Sequence, residues 1–242
     1  MITINPEDSV KHFVELDIRS TEVFSRHGID FCCGSHLSLK ESCTKQNAPL
    51  HTVLQELAEA LKEVKPVQIN GSEMTVEQLV DYAESAHCKY LGENLEVIGA
   101  YLEKINNVHG AEHPELASIL NLFDDYAEDL KNQLELEASL LFPKIRVLLS
   151  LQKENSQPRP ENSENISKDI TQLLYGHEQA SECFEKIAQL SNEFTPPAAA
   201  CTTYRLAFSR LSAFKQNLYS YIHLKSRYLF PKAIELEKQL LS

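Results

Sequence analysis

The sequence predicts an all-α protein, and three observations carry the prediction. The chain of 242 residues has only 7 glycines and is rich in Leu, Glu, Lys and Ala, which favour helices. Apolar residues recur three and four positions apart along most of the chain, the spacing of a helix with one apolar face. Turn-forming residues cluster at a few breaks between these stretches. We therefore expect a small helical N-terminal domain followed by a bundle of long helices.

The first 64 residues predict four short amphipathic helices that form the small domain, 1–64. Gly28 closes the second helix, and Pro49 suits the first turn of the fourth. We expect the helices at 7–16, 19–27, 37–46 and 50–64. The next stretch, "KPVQINGSEM" at 65–74, combines Pro, Gly and polar residues, which is typical of a linker.

Four much longer periodic segments predict the second domain, 75–242. We expect these helices at 75–107, 114–151, 165–193 and 201–241, separated by "VHGAEHP", "KENSQPRPENSE" and "TPPAAA". Long helices with one apolar stripe bury it by packing antiparallel into a four-helix bundle. The second and fourth helices both contain Leu-Phe-Pro, in "LLFPKI" and "YLFPKAI", which indicates two similar helix hairpins.

Charge and composition limit the location and the partners of the protein. A formal net charge of -12, with no basic cluster to offset it, works against binding to nucleic acid or anionic lipid. The sequence has no run near the ~18 apolar residues that span a bilayer, and its first 20 residues carry charged side chains. Six cysteines at irregular spacings, without an export signal, indicate reduced thiols. We expect a cytoplasmic protein without a membrane or nucleic-acid partner.

The stretch "GIDFCCGSH" at 28–36 places Cys32 and Cys33 between two of the few glycines. Gly28 permits a helix stop with positive φ, and Gly34 permits close backbone approach, so the segment can form a tight turn that presents thiols. A disulfide between neighbouring cysteines is strained, which favours at least one available thiol. The alternative is that both are small buried apolar residues. The sequence leaves both interpretations open.

Several segments together resemble the iron-sulfur cluster repair di-iron proteins. These are "GIDFCCGSH", "VHGAEHPEL", "LLFP", "GHEQA", "TPPAAACTTYR" and "YLFP", in order along nearly the whole chain. The resemblance implies an ScdA-type N-terminal domain joined to a hemerythrin-like four-helix bundle. It also implies repair of iron-sulfur clusters damaged by nitric oxide or oxidative stress, iron as a cofactor in a di-iron centre, and iron-sulfur proteins as partners. The cysteine domain could pair two chains into a homodimer.

The resemblance also implies where metal ligands should stand. The family places a His-x-x-x-Glu pair before each Leu-Phe-Pro, with the Glu six residues before the proline. Here Glu137 matches the first glutamate, but Gln133 stands in its histidine position. Lys225 and Tyr221 replace both members of the second pair. On the third helix His177, in "GHEQA", matches the family histidine.

On the first helix the resemblance places a ligand at either His87 or Cys88, since the register is open by one residue. Glu137 and His177 are then the matching ligands, with His87 or Cys88 as a third. A pair of irons needs about five or more protein ligands with bridging carboxylates. The sequence does not supply that number at the matched positions.

The replacements form a pattern of their own. Lys225 stands where it should face Glu137 across the bundle, and an ammonium can supply the positive charge that metal ions would otherwise bring. Gln133, Tyr221 and His177 can complete a hydrogen-bonded polar core around that pair. The alternative is that Lys225 extends out of the bundle to water while Tyr221 only packs.

Two functions of different classes follow. One is a stress-response protein of iron-sulfur cluster repair, and the other is a metal-free interaction or regulatory relative of that family. The sequence contains no serine triad, phosphate-binding loop or dinucleotide fingerprint, so it gives no support to a conventional enzyme.

Overall fold

The computed structural model describes residues 4–16, 20–31, 36–61, 71–156 and 166–241. Within those residues the protein is helical, and its β contact is an isolated antiparallel bridge between Ser9 and Ser38. The all-α prediction is confirmed. The chain divides into two compact units, Met1–Gln68 with Pro197–Ser209 and Ile69–Pro196 with Arg210–Ser242. The linker at 65–74 stays a prediction, because much of it lies outside the described residues.

The N-terminal residues form four short helices: α1 (Val10–Leu16), α2 (Ser20–Arg26), α3 (Leu39–Lys45) and α4 (Leu50–Ala60). Gly28, with φ of 65°, follows α2, and this left-handed conformation suits glycine because it has no Cβ to clash. Ser38 caps the start of α3 through a capping box with Glu41: the Ser38 N–H donates to the Glu41 carboxylate and the Glu41 N–H donates to Ser38 Oγ. Phe13 and Phe24 pack edge to face in the core of these helices, with their ring centroids 6.4 Å apart.

Four long helices account for most of the remaining residues. The first consists of α5 (Val76–Tyr82), a π-helical turn π1 (Ala83–Cys88) and α6 (Lys89–His109). The second consists of α7 (Glu115–Leu136), π2 (Glu137–Leu141) and α8 (Phe142–Lys153), and the third is α9 (Ile166–Leu190). The fourth consists of α10 (Thr202–Leu224), π3 (Lys225–Leu229) and α11 (Phe230–Leu241). The predicted helices are therefore present, and the prediction of a helical bundle is confirmed.

Apolar and aromatic side chains hold the long helices together. Helix α7 packs against α6 and α9, and α11 packs against α8 and α9. Phe123, Phe184 and Phe214 come from three different helices and are fully buried, and the ring centroid of Phe214 lies about 6 Å from those of the other two. Complete burial of each ring contributes about 1.5–3 kcal/mol relative to an exposed ring. Among the described helices none is long and apolar enough to cross a membrane.

The π-helical turns interrupt three of the four long helices at chemically distinctive residues. In each turn a backbone N–H reaches back five residues instead of four, as when Phe142 N–H donates to the Glu137 carbonyl and Phe230 N–H to the Lys225 carbonyl. Both of these turns lie directly before a Phe-Pro pair, so the repeated Leu-Phe-Pro marks equivalent places in two helices. Such turns are rare and are frequent at functional sites. The side chains on these turns are therefore candidates for a functional site.

Candidate functional site

The Glu137 carboxylate is the centre of the candidate site. It stands at the first position of π2 and is 0% exposed. Lys225 Nζ donates to its Oε1 at 2.5 Å, and the Tyr221 hydroxyl donates to its Oε2. Both oxygens of the carboxylate therefore have partners, which a buried anion requires. The structure brings together Glu137, Tyr221 and Lys225, three residues that the sequence singled out.

Lys225 lies inside the bundle at the first position of π3 and is 2% exposed. Its Nζ lies 4.0 Å from the centre of the Tyr221 ring and 5.9 Å from that of Phe230. The faces of aromatic rings attract cations, so these two rings compensate part of the hydration that the ammonium has lost. The side chain therefore points inward, and the alternative in which it extends to water does not describe this structure.

The first long helix contributes both of its candidate residues to the same place. Cys88 Sγ lies 3.0 Å from the Tyr221 hydroxyl oxygen. Burial raises the pKa of the Cys88 thiol to about 11, against a smaller opposing effect of that hydrogen bond, so the thiol is neutral at physiological pH. His87 is 6% exposed, and its Nδ1 lies 3.0 Å from Asn217 Oδ1. The two register alternatives are thus neighbours at the site, Cys88 bonded to Tyr221 and His87 bonded to Asn217.

His177 comes from α9 and approaches the centre from the third long helix. Its Nδ1 lies 3.1 Å from Ser226 Oγ, and its ring stacks on Phe230 with centroids 6.0 Å apart. Its Nε2 is buried and has no hydrogen-bond partner. Burial, and secondly the positive charge of Lys225, lower the pKa of His177 to about 3, so the ring is neutral. His177 therefore joins Ser226 rather than the Glu137 carboxylate.

Gln133 does not join the Glu137–Lys225 pair. Its side-chain amide lies directly against the backbone of Gly176 on α9. A Cβ atom at position 176 would clash with this amide. The gap left by the missing Cβ of Gly176 accepts the amide, so the side chain turns toward α9. Cys32 and Cys33 lie outside the described residues, and the proposed thiol turn stays a prediction.

Three residues at the site were not identified from the sequence. Asn217 bonds His87, Ser226 bonds His177, and Phe230 stacks on His177. Asn217 stands one helical turn before Tyr221, and its spacing of four residues could have placed it on the same face. Ser226 and Phe230 lie in or next to π3, where the changed pitch turns side chains away from their regular α-helical directions.

The donor atoms do not fit the pair of irons that the resemblance implies. In the described part of the chain no group of three or more His, Cys, Asp or Glu side chains is placed to hold a metal ion. Both Glu137 oxygens are engaged by Lys225 and Tyr221, so the carboxylate has no oxygen left for a metal. Among the groups at this centre, the unpartnered Nε2 of His177 is an available donor, and one imidazole does not hold two irons.

These features describe an all-α protein with a small N-terminal helical unit and a helical bundle with a polar centre. Residues 6–61 match the ScdA_N family, described as a domain of unknown function, DUF542. The chain is 28% identical over 213 residues to the iron-sulfur cluster repair protein ScdA of Staphylococcus haemolyticus, which covers 88% of this chain and 91% of the relative. Identity to ScdA of Staphylococcus epidermidis is 28% over 230 residues, 95% of this chain and 99% of the relative.

A third relative is the iron-sulfur cluster repair protein YtfE of Yersinia pestis. It is 26% identical over 227 residues, which cover 90% of this chain and 93% of the relative. The predicted resemblance to the iron-sulfur cluster repair proteins is therefore confirmed along most of the chain.

Proposed function

We propose that this protein takes part in the repair of iron-sulfur clusters. The observation that carries the proposal is the alignment with proteins of that name over 88% to 95% of the chain. The proposal extends to cytoplasmic iron-sulfur proteins damaged by nitric oxide or oxidants as the partners. A second copy of the chain, paired through the N-terminal domain, is part of the same proposal.

Cys32 and Cys33 are the proposed reacting groups. A thiolate is the reactive form of cysteine, both as a nucleophile and as a metal ligand. Burial raises the pKa values of Cys88 and Cys183 to about 11, so neither supplies a thiolate near neutral pH. The adjacent pair in "GIDFCCGSH" is a feature of the sequence that is typical of thiol chemistry.

A cellular assay tests the proposal. A bacterial host that lacks its own cluster repair protein is exposed to nitric oxide, and the activity of a [4Fe–4S] dehydratase is followed after new protein synthesis has been stopped. We expect activity to return faster with this chain than with an empty vector. We also expect the double variant Cys32→Ser and Cys33→Ser to lose the effect, while Cys201→Ser keeps it.

The second candidate is a metal-free interaction or regulatory protein, and the Glu137–Lys225 ion pair favours it. An inward-facing lysine beside the buried carboxylate gives the bundle a charge-balanced centre made from its own residues. If the folded protein accumulates in the host and dehydratase activity returns no faster than with the empty vector, the repair proposal is wrong and the second candidate is preferred.

A further inference from the structure

The charges at the centre of the bundle are already balanced. Glu137 is 0% exposed and Lys225 is 2% exposed, and their charged atoms are 2.5 Å apart. A buried carboxylate without a counter-charge is highly unfavourable, so some cation must accompany it. Here that cation belongs to a side chain of the protein.

The neighbouring histidines bond to groups outside the ion pair. His87 bonds Asn217, and His177 bonds Ser226. Glu137 and Lys225 therefore form the buried ion pair of this centre.

We propose that the Lys225 ammonium is the built-in cation of this centre, takes the charge-balancing place beside Glu137 that a metal ion would have, and keeps divalent metals out. The inference concerns the bundle centre alone and does not depend on the proposed repair function. The repair proposal can therefore fail in its assay while this proposal holds in a metal-binding assay, and the reverse.

Two features of the geometry explain the exclusion of metals. A divalent ion bound to Glu137 would lie within a few ångströms of the Lys225 ammonium in a low-dielectric interior, where like charges repel strongly. It would also have to displace the hydrogen bonds that Lys225 and Tyr221 make to the two carboxylate oxygens. His177 Nε2 is unpartnered and could bind a metal, but it gives a single bond in return.

The first test measures the unmodified full-length chain. It is purified without oxygen from iron-replete cells, and its iron content and its thermal unfolding with added Fe(II) or Zn(II) are measured. We expect well under one iron per chain and no rise in the melting temperature, because a ligand stabilises only the state that it binds. About two irons per chain, or a melting temperature that rises with metal concentration, would overturn the proposal.

The second test changes the two groups that bond to Glu137. The variant Tyr221→His with Lys225→Glu exchanges a phenol and an ammonium for an imidazole and a carboxylate, next to Glu137 and His177. Four donors are enough for one Zn(II) or Fe(II). We expect the variant to bind at least one ion per chain and to gain a metal-dependent rise in melting temperature.

The matched control is Lys131→Glu, which makes the same charge change on a lysine that is exposed and paired with Glu96. It should show no response to metal. If Tyr221→His with Lys225→Glu is folded by circular dichroism and binds no metal, Lys225 is not what excludes metal, and the proposal is wrong. If that variant folds only when Zn(II) is present, the proposal is supported. If it does not fold with or without metal, the measurement on the unmodified chain decides.

Discussion

The Glu137 carboxylate is stable in the bundle interior only because Lys225 and Tyr221 meet it. Removal of one member of a buried ion pair leaves an uncompensated charge and costs about 3–5 kcal/mol. We expect Lys225→Met to lower the free energy of unfolding by that amount. The double variant Lys225→Met with Glu137→Gln, which removes both charges, should lose much less, as measured by urea denaturation. Equal losses in the single and double variants would show that the two charges are not coupled.

The lowered pKa of His177 predicts that the stability of the folded protein depends on pH. Its folded-state pKa of about 3 lies below the ordinary value of 6.5, because burial and the nearby Lys225 disfavour the charged ring. The unfolded chain therefore binds a proton more readily, and stability is lost as the pH falls below 6.5 toward 3. The loss from this group is at most about 1.4 kcal/mol per pH unit.

The variant His177→Gln tests this pH dependence because it keeps a side chain that can bond Ser226 and cannot titrate. We expect the difference in unfolding free energy between the two proteins to change between pH 7 and pH 5 in favour of the variant. A difference that stays constant over this range would contradict the prediction.

Thiol reactivity distinguishes the cysteines one by one. Burial raises the pKa of Cys43, Cys88 and Cys183, so their thiols are protonated at pH 8 and should resist iodoacetamide in the folded protein. We expect modification at Cys32 or Cys33 first, and at all six cysteines in urea, as measured by peptide mass spectrometry. Absence of modification at both Cys32 and Cys33 in the folded protein would refute the thiol-presenting turn.

The main partners at the centre were predictable from the sequence, but not all of their contacts were. The resemblance implies a ligand six residues before each proline, which placed Glu137 and Lys225 at equivalent positions, and their charged atoms are 2.5 Å apart. Gln133 could not be placed in the same way. The direction of its amide depends on a gap at Gly176, on another helix, which no count along one helix can detect.

At the level of elements, the end of α9 carries local strain. Asn192, Glu193 and Phe194 have φ angles of 49°, 54° and 58°, so three residues with side chains in succession adopt the left-handed conformation. This conformation costs roughly 1–2 kcal/mol for a residue with a Cβ, and asparagine tolerates it best. The exposed Glu193 is the residue whose side chain does least to offset this cost.

We expect Glu193→Gly to raise the free energy of unfolding by about 1 kcal/mol, because glycine adopts this conformation without a steric penalty. The matched control is Glu182→Gly, an exposed glutamate within α9, which should lower it by about 1 kcal/mol. Chemical denaturation of both variants gives the comparison. A loss of stability in both variants would show that the turn is not strained.

The helices were predictable and their π-helical turns were not. Apolar spacing and breaking residues placed the ends of the long helices close to those observed, because both signals are local. In a π-helical turn a backbone hydrogen bond shifts by one residue. The packing of neighbouring helices compensates for the cost of that shift. The clue in the sequence was the repeated Leu-Phe-Pro, whose Leu is the last residue of π2 and of π3.

For the whole molecule, the net charge of -12 predicts repulsion from polyanions. We expect the protein to pass through a heparin column without retention at about 0.1 M salt. At this salt concentration the screening length is roughly 10 Å, so surface charges still repel heparin. Retention that needs high salt for elution would reveal a basic surface that the overall charge conceals.

The internal charge balance of the bundle has a consequence for the cell. Where a lysine of the chain neutralises the buried carboxylate, folding can finish as soon as synthesis does, without waiting for a scarce nutrient. The amount of folded protein would then follow gene expression rather than metal supply. Under the proposed exclusion of metals, such a bundle would also carry no iron that oxidants could release.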